Sequence, residues 1–342
     1  MEFLLEIMTE ELPSAHVMAA LAQLGERFSQ EMKTSGLEAS GLRVLGTCRR
    51  LVLVADLGAG QPDQEEIVTG PPRSAGIASD GSFTQAAFGF ARSHGVSVEE
   101  LQVVKTARGE YLGLKRLKKG KSTPEILMNK LPALVASLSF PKTMRWADKS
   151  FRFSRPIKGL LCLFDQQVVR ISLEGLMSSN KTSGHFIHSP LKLAVSNYQE
   201  YYQALKDNFV LVDPAERKQR ILDQFYEKLT GLKAHVYPDD RLLERLLWNV
   251  EYPLVVMGSF PDSYLSLPLE VLSTAMREGQ QLFSVVKGKK QLPYFLGIAD
   301  APSDPKNYIV SGNERVLKAR LEDARFFWEN DLKISLSERV NQ

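Results

Sequence analysis

The sequence predicts a multi-domain α+β protein in which mixed and antiparallel sheets pack against helices. Three observations carry this expectation. At 342 residues the chain is too long for one ordinary core, so two or three domains are expected. Apolar runs of strand length alternate with amphipathic stripes of helical period. Several pairs of strand-like runs are separated by short turn signals, as in antiparallel hairpins.

The first α+β domain is expected over residues 1–150. Phe3-Leu-Leu-Glu-Ile7 is a short apolar strand that breaks at Pro13, and Ser14 can cap the helix that follows. Val17, Leu21, Leu24, Phe28 and Met32 form its apolar stripe, which Gly36 ends. Arg50-Leu-Val-Leu-Val-Ala-Asp56 reads as a strand buried on both faces. Residues 58–81, with Gly70-Pro71-Pro72, read as loop. Thr84 caps the next helix, with Phe83 and Phe88 at the spacing of a hydrophobic staple and a stop at Gly95. Residues 103–117 form a hairpin around Arg108-Gly109, and Ser122-Thr-Pro-Glu125 is a capping box opening a helix to about Leu138.

A second α+β domain is expected over 151–310, with strands that could interleave with the first. Gly159–Phe164 and Val168–Ser172 make a hairpin around Asp165-Gln-Gln167. Asp213-Pro-Ala-Glu216 starts a helix with the right cap, an apolar face of Ile221, Leu222, Phe225, Tyr226 and Leu229, and Gly231 just beyond. Leu242–Val250 is a short helix, Leu254–Met257 a buried strand, and Pro268 opens a helix to Arg277. Gln281–Val286 and Leu292–Ala299 pair around Gly288-Lys289. Residues 311–342 read as the start of a helical region, with an amphipathic helix from near Asn313 to at least Trp328. Its sequence still reads as helical at Asn341-Gln342, which suggests a truncated domain.

Composition narrows the function classes. Charged residues are 24% and hydrophobic ones 44% of the chain, an ordinary globular profile. Net charge is only +3, from 43 Lys+Arg against 40 Asp+Glu. A DNA-coating protein is not expected, although local basic clusters can still hold a phosphate backbone. Cys48 and Cys162 lie far apart in apolar runs and read as buried free thiols in a reducing compartment. Glu2 and Glu6 do not fit a cationic signal peptide and no apolar run is long enough to span a bilayer, so a cytoplasmic protein without a membrane partner is expected.

Catalytic signals are few. There is no Walker-type or Rossmann glycine motif, no zinc-type Cys/His spacing and no spacing that argues a Ser-His-Asp arrangement. His185 and His188 form an H-x-x-H without a neighbouring Cys or carboxylate, which favours a structural or RNA-facing role over a metal site. Glu10 and Glu11 could be an acid/base pair, but adjacent residues at a strand end should diverge, and charge at a helix N-terminus explains them better. The basic–aromatic segments say more. Lys142, Arg145 and Trp146 follow Pro141, with Arg152 and Arg155 close behind. Arginine suits bidentate phosphate contact and tryptophan can stack on an unpaired base. The alternative is a core tryptophan with solvated cations around it. Of Arg49 and Arg50, one could pair with an internal carboxylate while the other faces solvent. On the last helix Arg315, Lys318, Arg320 and Arg325 alternate with Glu314, Glu322 and Asp323, which suits either RNA contact or a salt-bridged face.

Six segments occur in a recognisable order: Met1-Glu-Phe-Leu-Leu-Glu-Ile-Met-Thr-Glu-Glu-Leu-Pro13, Thr47-Cys-Arg-Arg-Leu-Val-Leu53, Phe140-Pro-Lys-Thr-Met-Arg-Trp146, Phe153-Ser-Arg-Pro-Ile157, Thr182-Ser-Gly-His-Phe186 and Ser311-Gly-Asn-Glu-Arg-Val-Leu-Lys-Ala-Arg-Leu321. Together they resemble the N-terminal half of the β subunit of bacterial heterotetrameric glycyl-tRNA synthetases, from Glu2 to about Asp331. The resemblance implies a subunit of a glycine–tRNA ligase that is inactive alone. In that family the α subunit carries the aminoacylation core for glycine and ATP, the latter used with Mg. The β subunit binds tRNA and holds an assembly of two α and two β chains. The implied partners are therefore the α subunit and tRNA(Gly), with no DNA and no cofactor bound by this chain. The implied fold is similar to the tRNA-binding and editing-type modules of the phenylalanyl-tRNA synthetase β subunit. The candidate tRNA contacts are then Arg49, Arg50, Lys142, Arg145, Trp146, Arg155, Arg315, Lys318 and Arg320. The family's helical and anticodon-binding domains have no counterpart in these 342 residues. Where relatives often have Met-x-x-His-Gln, this chain has Met276-Arg-Glu-Gly-Gln280, so no role for a histidine carries over. Two rivals are an editing-type hydrolase and a protein-only scaffold. Glycine leaves no smaller amino acid to exclude, which weakens the need for the former.

Overall fold

The computed structural model describes residues 1–146, 150–334 and 338. The chain divides into two compact units. The larger comprises Met1–Met32, Ala39–Leu57 and residues from Leu127 onward; the smaller comprises Lys33–Glu38 and Gly58–Ile126. The architecture is α+β with antiparallel sheets, as the sequence predicts.

In the larger unit, β1 (Glu2–Thr9) is followed by α1 (Ser14–Thr34), β2 (Ala39–Thr47) and β3 (Arg50–Leu57). The helix begins at Ser14 itself, one residue before the expected start, because the Pro13 carbonyl already accepts from His16 and Val17 N–H. β1 pairs antiparallel with β3 in register from Glu2↔Asp56 to Met8↔Arg50. Side chains of β1 are buried on both faces. Phe3 stacks on Phe28 of α1, with ring centroids 5.3 Å apart. Leu4 packs with Val52 and Val54 on the other face. A continuous apolar run rather than an alternating one follows from that double coverage.

The smaller unit has a three-stranded sheet of order β4-β6-β5, from β4 (Gln64–Pro72), β5 (Gln102–Thr106) and β6 (Gly109–Lys118). Helices α2 (Arg73–Gly76) and α3 (Gln85–Ser93) accompany it, and its core is Ala87, Ala91, Val98, Leu101, Leu112 and Leu114. The expected loop over 58–81 is thus a strand and a short helix. Gly70-Pro71-Pro72 is tolerated because β4 is an edge strand, where a missing N–H costs no ladder bond. Thr84 stands at the N-cap of α3, but its hydroxyl donates to the Ala75 carbonyl instead of capping. Phe88 is largely exposed rather than stapled.

The chain crosses between the units within α4 (Thr123–Ser137). Next come β7 (Met144–Arg145), β8 (Arg152–Phe153), β9 (Ile157–Phe164) and β10 (Gln167–Val168), with Asp165 and Gln166 both at positive φ in the tight turn. β9 pairs with β1, giving a five-stranded sheet of order β10-β9-β1-β3-β2. Strands from either side of residue 150 therefore interleave in one sheet. The short pairs β11 (Ser172–Leu173) with β12 (Leu176–Met177), and β13 (Lys181–Ser183) with β14 (Lys192–Ala194), lead into α5 (Tyr198–Asp207). This helix was not among the sequence expectations. Asn197 caps it by accepting from Glu200 N–H, and Tyr201 and Leu205 close the sheet face opposite α1.

The remainder is a second layered body within the same unit. α6 (Pro214–Thr230), β15 (His235–Val236), α7 (Asp240–Leu247), β16 (Pro253–Ser259), α8 (Leu269–Gln280), β17 (Phe283–Lys287), β18 (Lys290–Asp300) and α9 (Tyr308–Asp331) follow in order. The sheet order is β15-β17-β18-β16. Ile221, Phe225, Leu242 and Leu246 pack with Val255, Phe283 and Val285. Leu272, Met276, Leu317 and Leu321 pack with Leu282 and Phe295. Of the apolar face expected for α6, Leu222 and Tyr226 are exposed. α9 starts at Tyr308, five residues before the expected Asn313. The helical reading through Asn341 and Gln342 lies outside the described residues.

Candidate nucleic-acid interface

The adjacent arginines at the start of β3 go opposite ways. Arg50 is buried: its Nε donates to Glu251 Oε1 at 2.8 Å and its Nη1 to Glu6 Oε1 at 3.0 Å. Nη1 also donates to the Ser183 carbonyl at 2.9 Å, and Nη2 reaches the Gly184 carbonyl at 3.4 Å. Tyr201 donates to Glu6 and Thr47 to Glu251. Burial alone would lower the guanidinium's pKa, but the charges of Glu251 and Glu6 outweigh it and hold Arg50 above its ordinary value. Arg50 is therefore removed from the RNA-facing candidates, since a buried cation neutralised by two carboxylates presents nothing to a phosphate.

Arg49, in the turn before β3, reaches the surface. Glu10 and Glu11 converge on it, at 3.3 and 3.2 Å, rather than diverging as the sequence suggested. Lys158 joins Glu10 at 2.8 Å. That Lys158 hydrogen bond is the largest influence holding the Glu10 carboxyl below its usual range. The Arg49 guanidinium lies 4.2 Å from the ring centroid of the exposed Phe186.

The two histidines of the H-x-x-H have different jobs. His185 is buried, and its Nδ1 accepts the Ile187 and His188 N–H groups at 3.2 Å each. Its Nε2 lies 3.2 Å from Asp300 Oδ1, a close polar contact without hydrogen-bond alignment. The same oxygen accepts Glu251 and Tyr252 N–H. Burial raises the Asp300 carboxyl, and His185 with those two N–H groups more than reverses it. His185 thus ties the 183–188 loop, through Asp300, to the segment carrying Glu251. Among the described residues, no group of three or more His, Cys, Asp or Glu is placed to hold a metal ion.

The remaining candidates fall into two groups. Lys142, Arg145, Trp146 and Arg155 lie in and beside the β7–β8 hairpin, where Arg145 is opposite Arg152. Lys142 and Arg145 are exposed and have no ion pair among the described residues. Arg152 is held by the Thr143 hydroxyl and carbonyl, and Arg155 donates to the Ser154 carbonyl. Trp146 is half-buried, 5.5 Å from Phe151, which stacks with Phe153, while Phe140 packs edge-on to Phe153. The indole is thus anchored on the rim of an aromatic cluster. His16 registers the charge here: burial first, then the positive charges of Arg155 and Lys142, hold its imidazole below its ordinary value.

On α9, Arg315, Lys318 and Arg320 are exposed. The salt-bridged face that the sequence allows is not formed by them among the described residues. Glu314 accepts from Ser259, Glu322 from the Tyr264 hydroxyl, and Arg325 lies over the Tyr264 ring. Three exposed cations thus have no carboxylate partner among the described residues. Sequence reasoning missed Glu6, Tyr201, Glu251, Asp300, Lys158 and Lys192. Only Glu6, a carboxylate inside an apolar strand, carried a local signal of a buried partner.

No helix among the described residues is long and apolar enough to cross a membrane. Residues 3–342 match the family described as glycyl-tRNA synthetase beta subunit. Among similar proteins, the glycine–tRNA ligase beta subunit of Syntrophotalea carbinolica is 42% identical over 342 residues, covering 99% of this chain and 50% of that protein. That of Trichlorobacter lovleyi is 42% identical over 341 residues, covering 99% and 50%. That of Syntrophus aciditrophicus is 40% identical over 341 residues, covering 99% and 49%. The chain spans about half the length of the curated relatives it matches. By that match, which runs from residue 3 to the last residue, the chain belongs to the glycyl-tRNA synthetase beta subunit family.

Proposed function

We propose that this chain works as the tRNA-binding and assembly part of a glycyl-tRNA synthetase β subunit, supporting ATP-dependent attachment of glycine to tRNA(Gly) without catalysing it. The observation that carries the reading is the match to the β-subunit family along residues 3–342. The exposed cations of the β7–β8 hairpin and of α9 support the tRNA-binding part, because exposed Lys and Arg without carboxylate partners exchange counterions for RNA phosphates at little cost. In this reading ATP and Mg act at the α subunit, the assembly is α2β2 in the cytoplasm, and the modules are akin to those of phenylalanyl-tRNA synthetase β.

Glycine-dependent ATP–pyrophosphate exchange tests the division of labour. The chain purified away from α should give none, and should co-purify with added α chain. Exchange by the chain alone would contradict the subunit assignment.

A further inference from the structure

Phe186 is 55% exposed, beside a cavity of about 110 Å³ that Thr9, Arg49, Lys158, Gly184 and Lys192 also line, together with Glu10 and Glu251, whose carboxylates are engaged by Arg49, Lys158 and Arg50. That volume is well below the roughly 300–1,000 Å³ of pockets for drug-sized ligands, so it admits one small group. Three features make it a built site. The loop is pre-organised: Gly184 N–H donates to the Leu191 carbonyl, Ser189 N–H to the His185 carbonyl, and His185 N–H to the Asn208 carbonyl. A Cβ at Gly184 would run into the Ser189 carbonyl oxygen, so the turn closes as it stands only with glycine. One face of the Phe186 ring is occupied by Arg49, itself fixed by Glu10 and Glu11. Finally, Thr9 is 4% exposed and its buried hydroxyl has no hydrogen-bond partner among the described residues. Such a hydroxyl costs stability unless something supplies a bond.

We propose that Phe186 is the stacking platform for one unpaired nucleotide of an RNA, with Lys158 and Lys192 at its phosphates and Thr9 available to hydrogen-bond it. The proposal rests on the tRNA-binding reading and names which part of an RNA this loop takes. An aromatic ring with an arginine on one face, beside a cavity that lysines line, can recognise a base and its backbone together. Lys192 is exposed and has no carboxylate partner among the described residues, whereas Lys158 is shared with Glu10. A protein partner is the competing occupant, because Ile187 and Leu191 are exposed on the same loop.

The test uses the 342-residue chain with two probes, tRNA(Gly) and a short single-stranded RNA carrying 2-aminopurine. Stacking on Phe186 should quench the 2-aminopurine. Phe186→Ala should abolish the quench and weaken oligonucleotide binding about fivefold or more, with an unchanged melting temperature. Phe186→Trp should keep both, and Lys192→Ala should flatten the salt slope by about 0.7. If tRNA binds but Phe186→Ala leaves quench and affinity unaltered, the platform is wrong while the tRNA-binding reading stands. If the unaltered chain binds neither probe, that reading fails and the platform with it. A Phe186→Ala chain that keeps RNA binding but loses the α chain would assign the loop to a protein contact and overturn the proposal.

Discussion

Replacing Arg50 by methionine keeps the aliphatic stem and removes the guanidinium from the centre of the larger unit. Glu6 and Glu251 are at most 1% exposed, and Arg50 is the cation within ion-pair distance of both. Removing one member of a buried ion pair typically costs about 3–5 kcal/mol, because the other charge stays desolvated and uncompensated. Here two carboxylates are left and the Ser183 carbonyl loses its donor, so the upper part of that range is expected. The tyrosine and threonine hydroxyls bonded to Glu6 and Glu251 compensate only in part. The chain has two compact units, so a global unfolding midpoint reports that stability has changed without giving the size of the change. Native-state hydrogen exchange of peptides from β1, β3 and β9 reads the affected sheet directly. The triple change Arg50→Met, Glu6→Gln and Glu251→Gln should recover a substantial part of the loss, because neutralising the whole buried set is far cheaper than orphaning half of it. A single Arg50→Met variant within about 1 kcal/mol of the parent would refute the reasoning and leave the pairing energetically unimportant.

Two further outcomes follow from exposure and burial. Arg145 is exposed and has no ion pair among the described residues, so Arg145→Ala should leave the melting temperature unchanged. It should weaken tRNA binding by roughly 1 kcal/mol and flatten the salt slope by about one contact; a lowered melting temperature with an unaltered slope would place Arg145 in a structural role. Burial pushes the Cys48 and Cys162 thiols up from their ordinary value, so neither should react with an alkylating reagent in the native chain. Intact mass should show two modified thiols only after denaturation, and a native mass two hydrogens lower would reveal a disulfide instead.

Much of the fold was legible because local signals agreed with the tertiary outcome. Asp213 does cap α6, accepting from Ala215 N–H, and the run from Arg50 to Ala55 does lie buried in the sheet, with Asp56 at its end exposed. The failures have particular causes. β4 was concealed by Gly70-Pro71-Pro72 and by an exposure pattern without apolar alternation, since an edge strand of a small sheet buries little. α5 carried a legible signal, Asn197 three residues before Glu200, which the tyrosine-rich sequence after it masked. At the candidate interface, the sequence held that one of Arg49 and Arg50 would turn inward but not which. The choice depends on Glu251, 201 residues further on, and no local pattern reports that separation. Glu314 and Glu322, two of the carboxylates expected to neutralise α9, instead accept from Ser259 and Tyr264, both outside the helix. A helix-only pairing rule cannot foresee that competition.

In the proposed function, tRNA is bound through surface cations that have no carboxylate partner among the described residues. Fluorescence anisotropy of labelled tRNA(Gly), titrated with the 342-residue chain at salt concentrations from about 50 to 200 mM, tests it most directly. Five candidates are exposed: Lys142, Arg145, Arg315, Lys318 and Arg320. If about three of them meet phosphates, the logarithm of the binding constant should fall linearly with the logarithm of salt, with a slope near −2 to −3. No binding at about 50 mM salt, or binding that does not respond to salt, would contradict the account.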